Sequence, residues 1–390
     1  MNIVLYKKKS QWALISEFSS EQYAESESIE MLWPLVEEML AGGGLLRISA
    51  DELEISRPIS LGSNTYLEGS GTATRVVPSP TFVGEALIVM ASANASSVRN
   101  LSLHGLGRVS YGVMLCDSVD CRVAEVTASC CVDAGIVCRD NSSCCTLSNC
   151  TAIENQRANF LFENLAFAGR LGNFPPNTVT ACTSIGGGHG FEVHQATVFN
   201  ITASTAFQSR GHGFKVHQTS NSVLISGCRT FQCEQSAVYV ENAHELNVSS
   251  NVFCWQRSDG IVLNNVNWAA INANEVIDSG VRDLKERRRV GILLHSDTKG
   301  VQIVGNTIFN WGDQPPMSHA IYEAADCSEN LFVNNHINYV ADVPVVSLGQ
   351  HSVVGENMIV AEAAYRNMDK SPFPDFDRDA IERYAQLKYQ

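Results

Sequence analysis

A short block of residues recurs along the chain and carries ionisable side chains at fixed positions. Each block has a small residue followed by four positions that alternate apolar and variable, as in residues 190–194 (GFEVH) and 213–217 (GFKVH). If the block is a β-strand, alternate side chains point to opposite faces, so the variable positions share the outward face. That face then carries these acids, bases and cations: Arg139, Glu163, Glu192, His194, Lys215, His217, Tyr239 and Glu241.

Such a set of side chains suits proton transfer at a carbon atom. Histidine exchanges a proton near neutral pH, and a neighbouring glutamate fixes its tautomer. Arginine or lysine neutralises the carboxylate or enolate that forms when a proton leaves the adjacent carbon. This pattern predicts β-elimination or epimerisation, with His194 and His217 as base and acid. The candidate catalytic residues are His194, His217, Glu192, Glu163, Tyr239 and Glu241, and the candidate substrate-binding residues are Arg139, Lys215, His295 and Asn264.

Three other interpretations of this face stay open. A glycosidase needs two carboxylates about 5 to 10 Å apart, a spacing that Glu163 and Glu192 on adjacent turns could meet. A divalent ion could be held by His194, His217 and a glutamate, although parallel strand side chains would have to bend toward it. A solvated sheet face is the third interpretation. We predict no metal and no cofactor. The histidines outside the column are assigned local structural roles: His104, His189, His212 and His351.

The blocks repeat with a period that fixes the fold class. They start at 112, 135, 159, 190, 213, 237, 260, 291 and 320, which gives a unit of about 23 residues with three longer insertions. A unit of this length with no helical period contains only short strands. Stacked units predict an all-β, right-handed parallel β-helix of roughly ten coils. A second column in the same register would form an internal ladder: Thr127, Cys150, Cys182, Ser204, Cys228, Asn251, Asn274, Asn306, Asn335 and Asn357.

The two ends of the chain differ from the repeats. An amphipathic helix is predicted from about Ser28 to Leu40, with Ser28 as its N-cap and the glycines at 42–44 as its end. The predicted division is an N-terminal segment with a capping helix (1–41), a parallel β-helix (42–365) and a C-terminal tail or cap (366–390).

Composition narrows the function classes. The 390 residues carry a formal net charge of −14, which argues against a dedicated nucleic-acid binder. No apolar run reaches the roughly 18 residues of a membrane-spanning helix. The 13 cysteines, eight of them between 116 and 150, match neither a zinc spacing nor a disulfide framework. The first residues lack the order of a secretory signal. We therefore expect a cytoplasmic protein with reduced thiols, a possible homo-oligomer whose partner is an oligosaccharide or a small-molecule substrate.

The three insertions are candidate site loops, since long loops on a rigid repeat tend to build the binding site. They contain residues 166–177 (AFAGRLGNFPPN), 281–289 (VRDLKERRR) and 311–317 (WGDQPPM). Three tryptophans could serve as sugar-stacking platforms, although core packing is the commoner use of this residue: Trp255, Trp268 and Trp311.

The beginning of the repeat region resembles the start of pectate-lyase-like β-helix proteins. The segments that carry this resemblance are the glycine-rich turn, LLRIS, the Pro-Ile-Ser-Leu strand and TYLEGSG. The coils resemble the polyuronate-modifying branch, including mannuronan epimerases, over roughly residues 42–360. That family carries a Gly-Phe-Asp-Pro-His block in which Asp and His are functional, so the resemblance assigns those places to Glu192 and His194. Here Glu replaces Asp, Val193 replaces Pro, and His217 stands where the family has a further Asp.

The resemblance and the outward column together predict an intracellular lyase or epimerase that acts on a carbohydrate-like or carboxylated small substrate. One alternative is a glycoside hydrolase or fructan-type transferase that uses the paired glutamates. The other is a non-catalytic, carbohydrate-binding β-helix like a tailspike body, because this fold hosts many unrelated functions.

Overall fold

The chain winds into a solenoid in which each coil adds up to three short strands. A computed structural model describes residues 2–8, 10–19, 21–165, 175–280, 289–310, 317–338, 340 and 342–360. Equivalent strands of successive coils pair in parallel, so the solenoid has three faces. The face with the ionisable column, called the site face here, consists of Ile59–Leu61, Ala86–Ala91, Tyr111–Cys116, Ala134–Arg139, Ala158–Leu165, His189–Thr202, Phe214–His217, Val238–Ser249, Ile261–Asn272, Val290–His295, His319–Glu323 and Val345–Ser347.

The other two faces complete each coil. Three long strands of the site face, which begin at His189, Val238 and Ile261, continue round a corner onto the second face. The second face adds Asn2–Lys8, Gly44–Ser49, Thr65–Glu68, Ser97–His104, Arg122–Ser129, Thr146–Ser148, Asn177–Thr180, Asn221–Ser226, Gln302–Val304, Leu331–Val333 and Val353–Val354. The third face has Glu52–Ile55, Arg75–Pro78, Thr151–Ile153, Thr183–Ile185, Thr205–Phe207, Arg229–Phe231, Val252–Cys254, Glu275–Ile277, Thr307–Phe309, His336–Asn338 and Met358–Val360.

Identical residue types stack along the inside of the solenoid. Phe160, Phe191 and Phe214 lie on successive coils with ring centroids 4.7 and 5.0 Å apart and nearly parallel planes. All three side chains are fully buried. Since a repeat places the same side chain at every coil, the core grows by one layer per unit, and stacked aromatic rings fill that layer.

The predicted asparagine ladder is present inside a corner of the solenoid. The Nδ2 of Asn251 donates to Asn274 Oδ1 at 2.9 Å, and the same bond links Asn274 to Asn306 at 2.9 Å and Asn306 to Asn335 at 3.0 Å. Each Oδ1 also accepts the backbone N–H of the preceding ladder residue. The ladder thus satisfies buried backbone groups that the corner leaves outside the strand pairing.

Cysteine stands in the ladder on the earlier coils, and it serves there as a core residue. Cys150, Cys182 and Cys228 are each only 1% exposed, and all thirteen cysteines of the chain are free thiols. Burial raises the pKa of the Cys228 thiol to about 11. A buried thiol of this kind is a small apolar filler with little thiolate.

We expect Asn251→Cys to cost about 1–2 kcal/mol of unfolding free energy, because the backbone N–H of Cys228 loses its acceptor, Asn251 Oδ1, at 2.8 Å. The size and burial of cysteine already suit this column, so the fold itself is retained. Urea unfolding followed by circular dichroism measures the difference. The exposed Asn247→Cys is the control and should stay within about 0.5 kcal/mol of wild type; equal losses in the two variants would contradict the ladder's contribution.

The N-terminal segment differs from its prediction. The α-helix spans only Trp33–Leu40 and follows a 3₁₀ turn at Ile29–Met31, and Ser28 makes no side-chain capping bond. Before this helix, Gln11–Ser16 and Gln22–Ser26 form an antiparallel extension of the strand Asn2–Lys8, which pairs with Gly44–Ser49. The sequence analysis missed these strands because they lie outside the repeat.

Several predicted features lie outside the described residues. These are most of the three insertions, Trp311 and the C-terminal tail (366–390). Within the described ranges, no helix has the length and apolar character needed to cross a membrane.

Candidate active site

The strand register brings the ionisable column together on the site face. Glu163, His194, His217, Glu241 and Asn264 are successive partners across paired strands. The neighbouring outward column runs through Leu161, Glu192, Lys215, Tyr239 and Val262 in the same register. The predicted alternation and register are therefore confirmed.

A buried glutamate and a histidine form the centre of this face. Glu192 is only 3% exposed, although its position points away from the solenoid interior. His217 Nε2 donates to Glu192 Oε1 at 3.0 Å, and His217 itself is 8% exposed. This bond holds neutral His217 in the Nε2–H tautomer, so its Nδ1 is the basic atom.

Two further cations bind the Glu192 carboxylate. Arg157 Nε donates to Oε2 at 3.1 Å, and Lys215 Nζ lies 3.4 Å from Oε1. Burial raises the pKa of Glu192, but the His217 hydrogen bond and the charges of Arg157 and Lys215 outweigh it, so the pKa lies far below the ordinary value. Glu192 is therefore ionised at every physiological pH.

His194 stacks on His217 but has a different set of contacts. The two imidazole rings are 4.8 Å apart with an 18° interplanar angle. His194 Nε2 donates to Gln218 Oε1, and its Nδ1 is buried with no hydrogen-bond partner in the described structure. His194 thus has the same tautomer as His217, with a basic atom that is withdrawn from solvent.

A second aromatic stack lies beside the first. His189, His212 and Tyr239 occupy successive coils, with ring centroids 5.4 and 4.5 Å apart. The Nδ1 of His189 accepts the backbone N–H of His212 at 3.0 Å, and that of His212 accepts the backbone N–H of Ser236 at 3.1 Å. Burial, followed by neighbouring positive charge, lowers the pKa of His189 to about 4 and of His212 to about 3. Both rings are neutral at pH 7, and His189 Nε2 lies 3.5 Å from Lys215 Nζ.

Arg157 joins the two predicted glutamates. Its Nη1 lies 3.5 Å from Glu163 Oε2, and its Nε binds Glu192. The same Nη1 is 3.9 Å from Asp133 Oδ1. Glu163 and Glu192 therefore share one guanidinium, which neutralises part of the negative charge of the pair.

At the C-terminal end of the cluster, a side-chain amide contacts a glutamate and a tyrosine. Asn264 Nδ2 donates to Glu241 Oε1 at 3.2 Å and lies 3.4 Å from the Tyr239 hydroxyl. Since Tyr239 also stacks on His212, these three predicted residues are continuous with the histidines.

Two predicted substrate-binding residues do not join the cluster. Arg139 pairs with Glu85 at 3.3 Å and Asp140 at 3.2 Å, and its guanidinium packs over the Tyr111 ring. His295 Nδ1 contacts the Ser296 hydroxyl at 2.9 Å. Both residues lie in the predicted column, but their side chains contact these nearby residues instead of the cluster.

Apolar side chains border the cluster along the solenoid axis. Val137 and Leu161 on one side are fully buried although they point outward, and Val262 on the other side is 5% exposed. Val137 and Leu161 belong to an apolar cluster separate from the solenoid core. A low-polarity border strengthens the electrostatic interactions between the charges beside it.

The sequence analysis missed Arg157, His189, His212 and Gln218. A signal existed for two of them, because His189 and His212 each precede a block glycine and stand 23 residues apart. Their assignment to local structural roles was incomplete, since both contact the cluster. Arg157 has no such signal, because it precedes the block and reaches across one coil to Glu192.

Comparisons with known proteins agree on the architecture. Residues 168–350 match the family model described as periplasmic copper-binding protein (NosD). The A-module of mannuronan C-5 epimerase AlgE6 from Azotobacter vinelandii superposes with a TM-score of 0.68 at 17% identity, over 86% of this chain and 96% of that one. No curated protein matches the sequence. The chain has the fold of a right-handed parallel β-helix.

Two further structures show how widely this β-helix is used. A tailspike protein of E. coli bacteriophage HK620, in complex with a pentasaccharide, gives a TM-score of 0.59 at 13% identity, over 80% of this chain and 63% of that one. An α-1,3-glucanase from Streptomyces thermodiastaticus gives 0.58 at 11% identity, over 87% and 68%. At these identities the likeness concerns the fold alone.

The matched family model corrects one expectation. Its description is of a periplasmic protein, so the predicted cytoplasmic location is wrong. Free thiols in the core therefore reflect packing in the ladder and carry no information about compartment.

Copper, which the family description names, does not fit this cluster. Within the described ranges, no group of three or more His, Cys, Asp or Glu side chains is placed to hold a metal ion. Glu192, the central carboxylate, is already bound by His217, Arg157 and Lys215. Two permanent cations beside it would repel a copper ion.

Proposed function

We propose that the protein is a carbohydrate-acting enzyme of the lyase or epimerase type, which abstracts a proton from a carbon next to a carboxylate or carbonyl group. The observation that carries this proposal is the pair of His217 and Glu192, bordered by the cations Lys215 and Arg157. It places a base of fixed tautomer beside two groups that stabilise developing negative charge. The polysaccharide-acting neighbours support a sugar substrate at the level of fold.

In the proposed reaction, His217 Nδ1 takes the proton. Glu192 accepts the Nε2–H bond throughout and stabilises the imidazolium that forms. Lys215 and Arg157, which are 22% and 37% exposed at their side chains, offer N–H groups to the substrate's carboxylate or enolate oxygen. Return of a proton to the opposite face of the carbon gives epimerisation, and loss of a leaving group gives elimination. Tyr239 is our candidate for the returning acid.

Hydrolysis by Glu163 and Glu192 is less well supported. A glycosidase needs one of its two carboxyl groups protonated as the acid. Glu192 is held ionised, so Glu163 would have to be that acid while Arg157 lies 3.5 Å from its Oε2. Glu163 would therefore have to leave its contact with Arg157 in order to protonate a glycosidic oxygen.

We expect His217→Gln to lower turnover by about 10²–10³. Glutamine can still donate from its amide nitrogen to Glu192 but has no basic atom, so the fold is kept while proton abstraction is lost. The measurement is product formation by NMR on a panel of polyuronates and neutral glucans, where an unsaturated or inverted centre identifies the reaction.

His351→Gln, at an exposed histidine far along the chain, is the matched control and should retain full turnover. If His217→Gln converted substrate as fast as wild type, the proposed base would be wrong. If water or sugar transfer were the only reaction found, hydrolysis by the paired glutamates would replace it.

A further inference from the structure

One tryptophan stands exposed at a corner of the solenoid next to the cluster. Trp268 is 63% exposed and lies between the site face and the second face, in the strand Ile261–Asn272. Its φ of +60° lies in the left-handed region. The corner residues equivalent to it on the preceding coils, Val198, Ser222 and Glu245, share this conformation, so the corner fixes the backbone and leaves the ring at the surface.

The ring of Trp268 packs against the backbone of the next coil. Asn267 pairs with Lys299, which places Trp268 beside Gly300. A Cβ atom at Gly300 would lie 3.0–3.4 Å from three ring carbons, closer than an ordinary contact, so the glycine lets the ring lie close to the backbone there. With one side of the ring against Gly300 and 63% of the residue accessible, the other side is open to solvent.

The neighbouring acidic residue turns away from this ring. Glu245 occupies the equivalent corner position one coil earlier, because His244 pairs with Asn267. Its Oε2 accepts the Ser222 hydroxyl on the coil before that, so its carboxylate is directed away from Trp268. The open face of the ring is thus kept clear of this carboxylate.

Hydrogen-bonding groups connect this corner to the candidate active site. Asn265 directly follows Asn264, which binds Glu241 and contacts Tyr239. Asn265 Nδ2 donates to Asn242 Oδ1 at 2.7 Å, and both residues are exposed. The amide oxygen of Asn265 and the amide nitrogen of Asn242 therefore present an acceptor and a donor between the cluster and the tryptophan.

We infer that Trp268 is a stacking platform for a pyranose ring and that the substrate is an oligosaccharide long enough to reach it from His217. The axial C–H groups of a sugar are partly positive and suit the negative face of an aromatic ring, while the asparagine amides match its hydroxyls. Trp268 lies two coils beyond His217, about 10 Å along the axis at the spacing of paired strands. A monosaccharide at the cluster could not span that distance, so this inference rests on the proposed function and narrows its substrate to a chain.

Trp255 provides the contrast within the same protein. Its indole N–H donates to Asp278 Oδ2 at 2.7 Å, and its ring packs edge-on against Phe231. It therefore has a structural role on the third face, and only one of the two described tryptophans that sequence singled out fits a platform.

Calorimetric titration of the full chain tests the inference. The probes are six-residue oligomers of mannuronate, galacturonate and α-1,3-linked glucose, each with its dimer. Wild type should bind at least one hexamer more tightly than the matching dimer. Trp268→Ala should weaken the hexamer at least about tenfold and leave the dimer unchanged. Trp268→Gly, which suits the left-handed backbone, guards against misfolding and should give the same loss.

Tyr66→Ala, at a 44% exposed aromatic residue on an early coil, is the matched control and should bind like wild type. Equal hexamer affinity for Trp268→Ala and wild type would overturn the platform, and so would a wild type that binds no hexamer better than its dimer. The two proposals fail separately. If Trp268→Ala lost hexamer binding while His217→Gln kept full turnover, only the proposed function would be overturned. If Trp268→Ala bound the hexamer like wild type while His217→Gln lost turnover, only the platform would be overturned.

Discussion

Glu192→Gln is expected to lower turnover by about 10²–10³, no more than loss of the base that it orients, and the free energy of unfolding by about 2–4 kcal/mol. The substitution keeps the shape of the side chain and removes one negative charge that three donors share. Lys215 and His217 then lose the carboxylate that they share, and Arg157 keeps only its longer contacts with Glu163 and Asp133, in a site where the carboxylate was only 3% exposed. The upper end of the range for a broken buried pair does not apply, because Arg157 and Lys215 keep part of their hydration.

The effect on turnover has a separate cause in the tautomer of His217. A carboxylate only accepts hydrogen bonds, so it selects the Nε2–H form of the ring. A glutamine amide can turn to donate as well, which selects the opposite tautomer and removes the basic Nδ1. Turnover should therefore fall even in a sample that is fully folded.

Steady-state turnover and urea unfolding of the same sample separate the two effects. Glu245→Gln is the matched control, because this exposed glutamate lies outside the cluster and accepts the hydroxyl of Ser222. This variant should keep the turnover of wild type and change the free energy of unfolding by no more than about 0.5 kcal/mol. Turnover within about threefold of wild type in Glu192→Gln would show that the carboxylate does not orient the base.

The repeat in the sequence predicts which residues of this site share a column. It does not predict which of their side chains contact each other. The repeat of about 23 residues fixes which residues are neighbours, because parallel pairing allows only one register with the apolar positions inside. That rule predicts neighbouring positions on adjacent strands, and the strand register confirms them, for Glu163, Glu192, His194, Lys215 and His217.

The direction of a long side chain is a different kind of information. Arg139 has its predicted neighbours, yet its guanidinium turns to Glu85, which is 54 residues earlier and outside the blocks. Arg157 lies outside the columns, yet it supplies one of the strongest charges on Glu192. A column specifies where each Cβ atom starts, while local partners choose the rotamer of an arginine. Burial of Glu192 also follows from these partners, since an unpaired carboxylate could not stay at that position.

The second large effect is expected from pH, through the histidines that the sequence analysis left outside the site. Lowering the pH from 7.5 to 5 should reduce the free energy of unfolding by about 4 kcal/mol, or about 2 kcal/mol for each of His189 and His212. Their pKa values in the folded protein are about 4 and about 3, below the ordinary value of about 6.5. Above pH 6.5 both rings are neutral in the folded and unfolded chains, and their contribution to stability is complete.

As pH falls below 6.5, the unfolded chain takes up protons that the folded chain refuses, so stability is lost toward the folded pKa values. Burial is the main cause, and positive charge on Lys215 adds to it at both rings, with Glu192 acting in the opposite direction. The depressed pKa of Glu192 adds its own loss only below about pH 4.5, so a measurement that stops at pH 5 excludes it. Burial also lowers the pKa of His104 and His295, and these two residues add to the loss in the same range.

His212→Asn tests the assignment through the slope of stability against pH. The asparagine Oδ1 can accept the Ser236 N–H in place of His212 Nδ1, but it does not titrate. The variant loses the stacking contact with Tyr239 and is less stable at pH 7.5, yet between pH 6.5 and 5 the slope of its unfolding free energy against pH should fall by about 1 kcal/mol per pH unit. His351→Asn is the matched control, because that residue is exposed and its left-handed backbone suits asparagine. An unchanged slope in His212→Asn would contradict the assignment, because the folded protein would then take up this proton as readily as the unfolded chain does.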